Sequence, residues 1–164
     1  SVLQIQSKEV LICRMIADLL NPRGQHGAGA EYLKIFLRDC LGMEKMDTKL
    51  ADQAIVTAEY AIDDERRIDI VIEIGSYFLP IEVKIYAADQ KSQCFDYYQY
   101  AKRRDAQAKV YYLTLDGHRP GKDSTSSGSQ SVPEEDIVCL SFREHILNWL
   151  KACKSCENTG MVPI

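Results

Sequence analysis

No stretch of this chain is long and apolar enough to cross a membrane as a helix. Its start also lacks the hydrophobic block and small-residue cleavage site of a secretory leader. No membrane partner is therefore expected. Positive charge is not in excess either: 20 Lys and Arg stand against 24 Asp and Glu, a net charge of −4. That balance argues against a protein that coats nucleic acid through a broad basic surface. It leaves room for a local grip on phosphate through a metal ion and a few cations. Six cysteines are present, but not in the spacing of a structural zinc site. Cys13, Cys40, Cys94 and Cys139 fall within apolar periodic segments and read as reduced, buried thiols. Cys153 and Cys156 form a lone C-x-x-C with no second pair or histidines to complete it. This usage points to a reducing, cytoplasmic compartment. No internal repeat is visible. The 164 residues suffice for one domain with its own core, and the absence of a clear stopping element before Ile164 suits a fragment of a longer chain.

What is present is a change of period along the chain. Ile12, Met15, Ile16, Leu19 and Leu20 recur at helical spacing until Asn21-Pro22-Arg23-Gly24 stops them. Leu33, Phe36, Leu37, Cys40 and Leu41 mark a second helix, ended by Gly42. Residues 53–61 alternate, with Val56, Ala58, Tyr60 and Ile62 on one face and Ile55, Thr57 and Glu59 on the other. Residues 66–74 alternate again, setting Ile68, Ile70, Ile72 and Ile74 against Asp69, Val71 and Glu73. Gly75-Ser76 signals a turn before a third strand at 77–86. Residues 89–104 have no Gly or Pro and read as a helix, and Val110 to Leu115 as a fourth strand. Residues 117–134 are polar and rich in Gly and Ser, the composition of a mobile surface loop. Ile137 to Leu140 is a fifth strand, and Ser141 with Glu144 caps a final helix that buries Phe142, Ile146, Trp149 and Leu150. The order predicts an α/β fold: a central mixed β-sheet of about five strands flanked by helices.

The hairpin of the second and third strands concentrates the chemistry. With a two-residue loop, Ile74 faces Tyr77, and counting outward sets Asp69 opposite Glu82 in a non-hydrogen-bonded position. Such pairs bring Cα atoms to about 4.5 Å. Pro80 falls in another non-hydrogen-bonded position, where its missing N–H breaks no bond to this partner. Two facing carboxylates repel, so one takes up a proton or a cation lies between them. Lys84 shares the face of Glu82, while Ile81, Val83 and Ile85 point the other way. Two readings stand at this point. One is an ion cluster in which Lys84 and Arg67 neutralise the acids. The other is a site for a hard divalent ion, with Lys84 beside it to hold the attacking water and offset phosphate charge.

Arg67-Ile68-Asp69-Ile70, a hairpin-sized gap and Ile81-Glu82-Val83-Lys84 together resemble the split signature of the PD-(D/E)XK nuclease superfamily. Ile68 stands where the signature has proline. Gln93 to Tyr97 resembles the Q-x-x-x-Y motif of RecB-like nucleases. Leu19-Leu20-Asn21-Pro22 followed by His26-Gly27 resembles the LLDP…HG segment of a bacterial PD-(D/E)XK family. The matches run in order from about Glu9 to Leu150.

The resemblance implies a restriction-endonuclease-like core and a Mg²⁺- (or Mn²⁺-) dependent nuclease acting on nucleic acid, with DNA the expected substrate. Asp69 and Glu82 would be metal ligands, joined by the Val83 carbonyl, and Lys84 would position or activate water. Gln93 and Tyr97, one helical turn apart, would face the site or the substrate backbone, or else simply pack their helix. Glu9 and His26 are further candidate metal ligands; a solvated helix acid and a loop-capping histidine are the alternatives. Glu59 is a weak candidate for the acidic cluster, Glu73 lies to its side, and Lys102, Arg103 and Arg104 are candidates for phosphate contact or for stabilising a helix end. The competing functional reading is a catalytically inactive nuclease-fold module that binds nucleic acid or a protein partner.

Overall fold

The computed structural model describes residues 1–158. Helix α1 (Val2–Leu20) opens on a capping box, Ser1 with Gln4, and buries Cys13, Ile16, Ala17 and Leu20. It ends at Asn21, whose side-chain oxygen accepts the Arg23 N–H at 3.0 Å. Helix α2 (Glu31–Asp39) buries Tyr32, Leu33, Ile35, Phe36 and Leu37. A four-residue helix that the apolar pattern does not signal, α3 (Thr48–Ala51), starts where Asp47 accepts the Lys49 N–H at 2.9 Å.

Strands β1 (Ile55–Ala61), β2 (Arg67–Ile74) and β3 (Tyr77–Lys84) form an antiparallel meander. Helix α4 (Gln93–Arg104) follows, then β4 (Val110–Thr114), parallel to β3. A short helix α5 (Lys122–Thr125) and the strand pair β5 (Ser126–Ser127) and β6 (Gln130–Ser131) precede β7 (Ile137–Ser141), parallel to β4. The main sheet runs β1-β2-β3-β4-β7, five strands and mixed as expected. Helix α6 (Leu147–Asn158) closes the described chain. Its entry is the expected Ser141–Glu144 cap, but the first turn, Phe142–Ile146, is wound as a π-helix. Trp149 packs edge-on to Phe36 and donates its indole N–H to the Tyr32 carbonyl at 2.8 Å.

Two apolar layers cover the sheet. Ile70, Ile72, Ile74, Leu79, Ile81 and Val83 pack with the residues of α1, α2 and α6. Val71, Phe78, Val110 and Tyr112 pack with Phe95, Tyr97 and Ala101 of α4. No helix among the described residues is long and apolar enough to cross a membrane.

Leu150, expected inside, is 40% exposed, and two larger expectations also need correction. Ile68 does not join Ile70, Ile72 and Ile74, and Tyr60 and Ile62 do not join Val56 and Ala58; all three lie in the α4 layer, so the alternation breaks at Asp69 on β2 and at Glu59 on β1. The Tyr97 hydroxyl, which donates to the Arg67 carbonyl at 2.6 Å, fastens this end of β2 to α4. Directly across the β1–β2 ladder, Glu59 has a φ of 55°, a left-handed conformation strained for a residue with a Cβ. The second correction concerns residues 117–134, which are tied down rather than loose. Ser124 is buried and accepts the Cys94 N–H at 3.2 Å, Gly121 donates to Asp89 at 2.8 Å, and Ser92 donates its N–H to the Asp123 carbonyl at 2.8 Å. Polar bonds, with one buried apolar residue at Val132, order this segment against the start of α4.

Candidate active site

The two-residue turn at Gly75-Ser76 fixes the β2–β3 register. Gly75 takes a φ of 56°, which its missing Cβ permits. The pairs run from Ile74↔Tyr77 through Val71↔Pro80 to Ile70↔Ile81, the register expected. Asp69 and Glu82 come next, and there the regular ladder stops. On its other edge β3 continues, pairing Glu82 with Tyr112 and Lys84 with Thr114 in parallel. Asp69 replaces the lost backbone pairing with its side chain: Oδ2 accepts the Val83 N–H at 2.7 Å. Residue 83 thus meets Asp69 through its amide N–H.

The acids occupy different environments. Asp69 is half-buried, whereas Glu82 is 1% exposed. Burial, then the neighbouring Asp69 charge, push the Glu82 carboxyl well above the usual carboxylate range, only partly offset by Lys84. Burial also raises Asp69, against the opposing effect of hydrogen bonds from Glu82 and the Val83 amide. Both carboxyls are thus shifted toward their protonated forms, Glu82 further than Asp69. Glu82 Oε1 is buried without a hydrogen-bond partner among the described residues. Lys84, 9% exposed, sets its Nζ 3.5 Å from Glu82 Oε2 and donates to the Ala88 carbonyl at 3.3 Å.

Gln93 and Tyr97 share a buried face of α4, and Tyr97 lies within reach of the charges of Asp69 and Glu82. Both are buried, and Gln93 donates its amide to the Tyr97 hydroxyl at 3.2 Å. Burial and the charges of Glu82 and Asp69 raise the Tyr97 phenol, which stays neutral. Gln93 Oε1 is, with Glu82 Oε1, a buried side-chain atom that has no hydrogen-bond partner among the described residues. Arg66 anchors the segment leading into α4 through Asp96 at 3.1 Å, Gln90 at 3.1 Å and the Lys91 carbonyl.

The remaining candidates sit elsewhere or act differently. His26 has both ring nitrogens engaged by its own loop: Nε2 donates to the Asn21 carbonyl at 2.9 Å, and Nδ1 accepts the Ala28 N–H at 2.9 Å. That arrangement makes it a loop brace with no lone pair for an ion. Glu9 directs Oε1 at the backbone amides of Ile85, Tyr86 and Ala87. Glu59 lies opposite Asp69 on β1 but pairs with Arg14 at 2.8 Å. Arg104 stacks on Tyr100, 3.9 Å from the ring centre, and Lys102 donates to the Ala106 carbonyl. No three His, Cys, Asp or Glu side chains converge as a metal cluster among the described residues.

Two neighbours of the acids escaped sequence reasoning. Tyr112 stands beside Glu82 and donates its hydroxyl to Asp89 at 2.5 Å. Cys13 is buried, and its thiol is raised by burial and then by Asp69, Glu82, Glu9 and Glu59. Its signal was its position one helical turn after Glu9.

A divalent ion fits what is here. The donors are two hard carboxylates, and one of their oxygens lacks a partner among the described residues. Burial raises both acids, and the Asp69 charge raises Glu82 further, a cost that a cation between them would relieve. By contrast, the apolar groove of about 510 Å³ between α1 and α6, lined by Ile12, Met15, Leu19 and Leu150, lies away from these acids. A family model described as the PD-(D/E)XK nuclease superfamily matches residues 1–161. No curated protein and no solved structure matches the chain.

Proposed function

The chain belongs to the PD-(D/E)XK nuclease superfamily, and from that premise we propose that it is a magnesium-dependent nuclease hydrolysing phosphodiester bonds of DNA at Asp69, Glu82 and Lys84. The observation that supports this most is the buried acid pair at the end of the β2–β3 ladder, with an unpartnered Glu82 oxygen and the Lys84 amine beside it.

Asp69 and Glu82 would hold magnesium, or manganese in its place, with the Val83 carbonyl adjacent. Such an ion supplies positive charge to the scissile phosphate and lowers the pKa of a water molecule. The protein's own groups supply the rest. Asp69, the more exposed acid, is the one solvent reaches. Lys84 uses one N–H toward Glu82 and one toward Ala88, which leaves a third for the attacking water or a phosphate oxygen. Gln93 contributes a buried carbonyl oxygen free to accept from a bound water. Tyr97 keeps the Gln93 amide and the Arg67 carbonyl in place.

A second reading, a nuclease-fold module that binds without cutting, draws on the closure of the site around Glu82, 1% exposed. Cleavage assays on plasmid, linear duplex, single-stranded DNA and RNA with Mg²⁺ or Mn²⁺ separate the two. The expectation is that wild type cuts DNA and that Lys84→Ala falls to background while still binding Mn²⁺. Nucleic-acid binding without cleavage would favour the second reading. Normal cutting by Lys84→Ala would contradict the role given to the lysine.

A further inference from the structure

Glu9 lies on α1, more than seventy residues before the strand it touches. Its Oε1 accepts three successive backbone N–H groups, from Ile85 at 2.8 Å, Tyr86 at 3.0 Å and Ala87 at 3.2 Å. Three amides converging on one oxygen form an anion-binding concavity, here filled by the protein's own carboxylate. These amides follow the last residue of β3, so no strand partner satisfies them.

The location of this turn gives the contact its meaning. It starts directly after Lys84 and ends directly before Ala88, whose carbonyl accepts the Lys84 amine at 3.3 Å. The segment held by Glu9 is therefore the whole connection between the lysine backbone and the carbonyl that steers its tip. One turn along the same helix face, Cys13 packs in the core layer that contains Val83. Helix α1 thus has a buried foothold beside the Glu9 contact, and the carboxylate transmits that rigid placement to the turn.

Resting on the nuclease reading above, we propose that Glu9 is a positioning residue and not a metal ligand. By holding the three amides of residues 85–87 it fixes the span from Lys84 to Ala88 and so aims the lysine amine at Glu82.

The test compares Glu9→Ala and Glu9→Gln with wild type in three measurements: amide hydrogen exchange at 85–87, Mn²⁺ calorimetry, and kcat with KM. For Glu9→Ala, exchange at the three amides should rise by about tenfold or more. Its kcat should fall by about 10²-fold with little change in KM, the cost of a misplaced catalytic group. Mn²⁺ affinity should stay within about threefold of wild type, below the roughly tenfold loss of a true ligand or its direct support. Glu9→Gln, whose amide oxygen still accepts N–H groups, should restore most of the protection and the rate. Weakening of Mn²⁺ binding by about tenfold or more in both variants would make Glu9 a ligand and overturn the inference. Faster exchange with unchanged kcat would reduce it to a structural brace and overturn it equally. If wild type binds Mn²⁺ but cuts nothing, the nuclease reading fails by itself. Placement of the amine is then read from Mn²⁺-induced broadening of the Lys84 side-chain NMR signals. Weaker broadening in Glu9→Ala supports the inference, and equal broadening overturns it.

Discussion

Asp69 Oδ2 accepts the Val83 N–H at 2.7 Å, so a side chain from β2 continues a ladder whose regular pairs end at Ile70 and Ile81. The bond needs an acceptor and not a charge. Asp69→Asn can keep it through the amide oxygen while removing the negative charge that faces Glu82. The variant should fold with a stability within about 1 kcal/mol of wild type, yet lose its thermal response to Mn²⁺. Differential scanning calorimetry with and without the ion checks both parts; a full Mn²⁺ response would remove Asp69 from the ion's ligands.

Glu82 carries a stability consequence of its own. Its carboxyl is raised in the fold by burial and by Asp69. A raised acid contributes stability below the ordinary carboxylate range and loses it as pH rises through the folded value. At neutral pH without metal, the buried carboxyl is therefore a liability. Glu82→Gln should make the metal-free protein more stable, on the order of 1 kcal/mol, and flatten the decline of Tm with rising pH. Divalent ions should no longer stabilise it. Urea titrations across a pH series measure all three effects, and a less stable metal-free variant would contradict the account.

The thiols give a pH dependence away from the site. Cys40 and Cys94 are buried, and desolvation pushes each from 9.0 up to about 12. Their neutral form stabilises the fold below the unfolded value, and that contribution disappears as pH climbs from 9.0 toward about 12. At pH near 8, iodoacetamide should leave both untouched in the native protein and modify them on unfolding, as peptide mass analysis would show. Rapid native alkylation at either would show that the core around it opens.

The parts of the site readable from sequence are those fixed by local rules. The Gly75-Ser76 turn and the tolerated position of Pro80 determine the β2–β3 register as far as Ile70↔Ile81, and Asp69 and Glu82, the next residues on each strand, lie close enough to act on one another. The Gln93–Tyr97 spacing likewise places both residues on one face of α4. What escaped depends on distant chain. Pattern alone could not show Ile68 leaving its expected layer, because the break coincides with a strained Glu59 and a Tyr97 contact across elements. The bond from the Ile85 amide to Glu9 could not be foreseen, because a carboxylate on α1 carries no mark of the turn it meets after β3. His26 read as a candidate ligand, although its own loop occupies both nitrogens. Residues 117–134 looked loose because their order comes mainly from hydrogen bonds of Ser, Asp and Gly. Tyr112 was missed because a parallel register between β3 and β4 leaves no turn to count from.

Tyr97 offers a narrower test of the α4 face. Its hydroxyl donates to the Arg67 carbonyl and accepts from Gln93. Tyr97→Phe removes both contacts with almost no change in shape, and should cost about 1 kcal/mol of stability. Freed from this partner, Gln93 should no longer hold a fixed orientation. Cleavage is then expected to slow at saturating substrate, below the melting range of the variant. An unchanged rate would confine Gln93 and Tyr97 to helix packing.

The most direct test is calorimetric titration of Mn²⁺ into the metal-free protein near neutral pH, repeated in two buffers of different ionisation enthalpy. If Asp69 and Glu82 form the ion site, wild type binds with proton release, because the raised carboxyls must ionise to hold the ion, and Asp69→Ala gives no binding heat. Equal heat from wild type and Asp69→Ala, or none from either, would contradict the account.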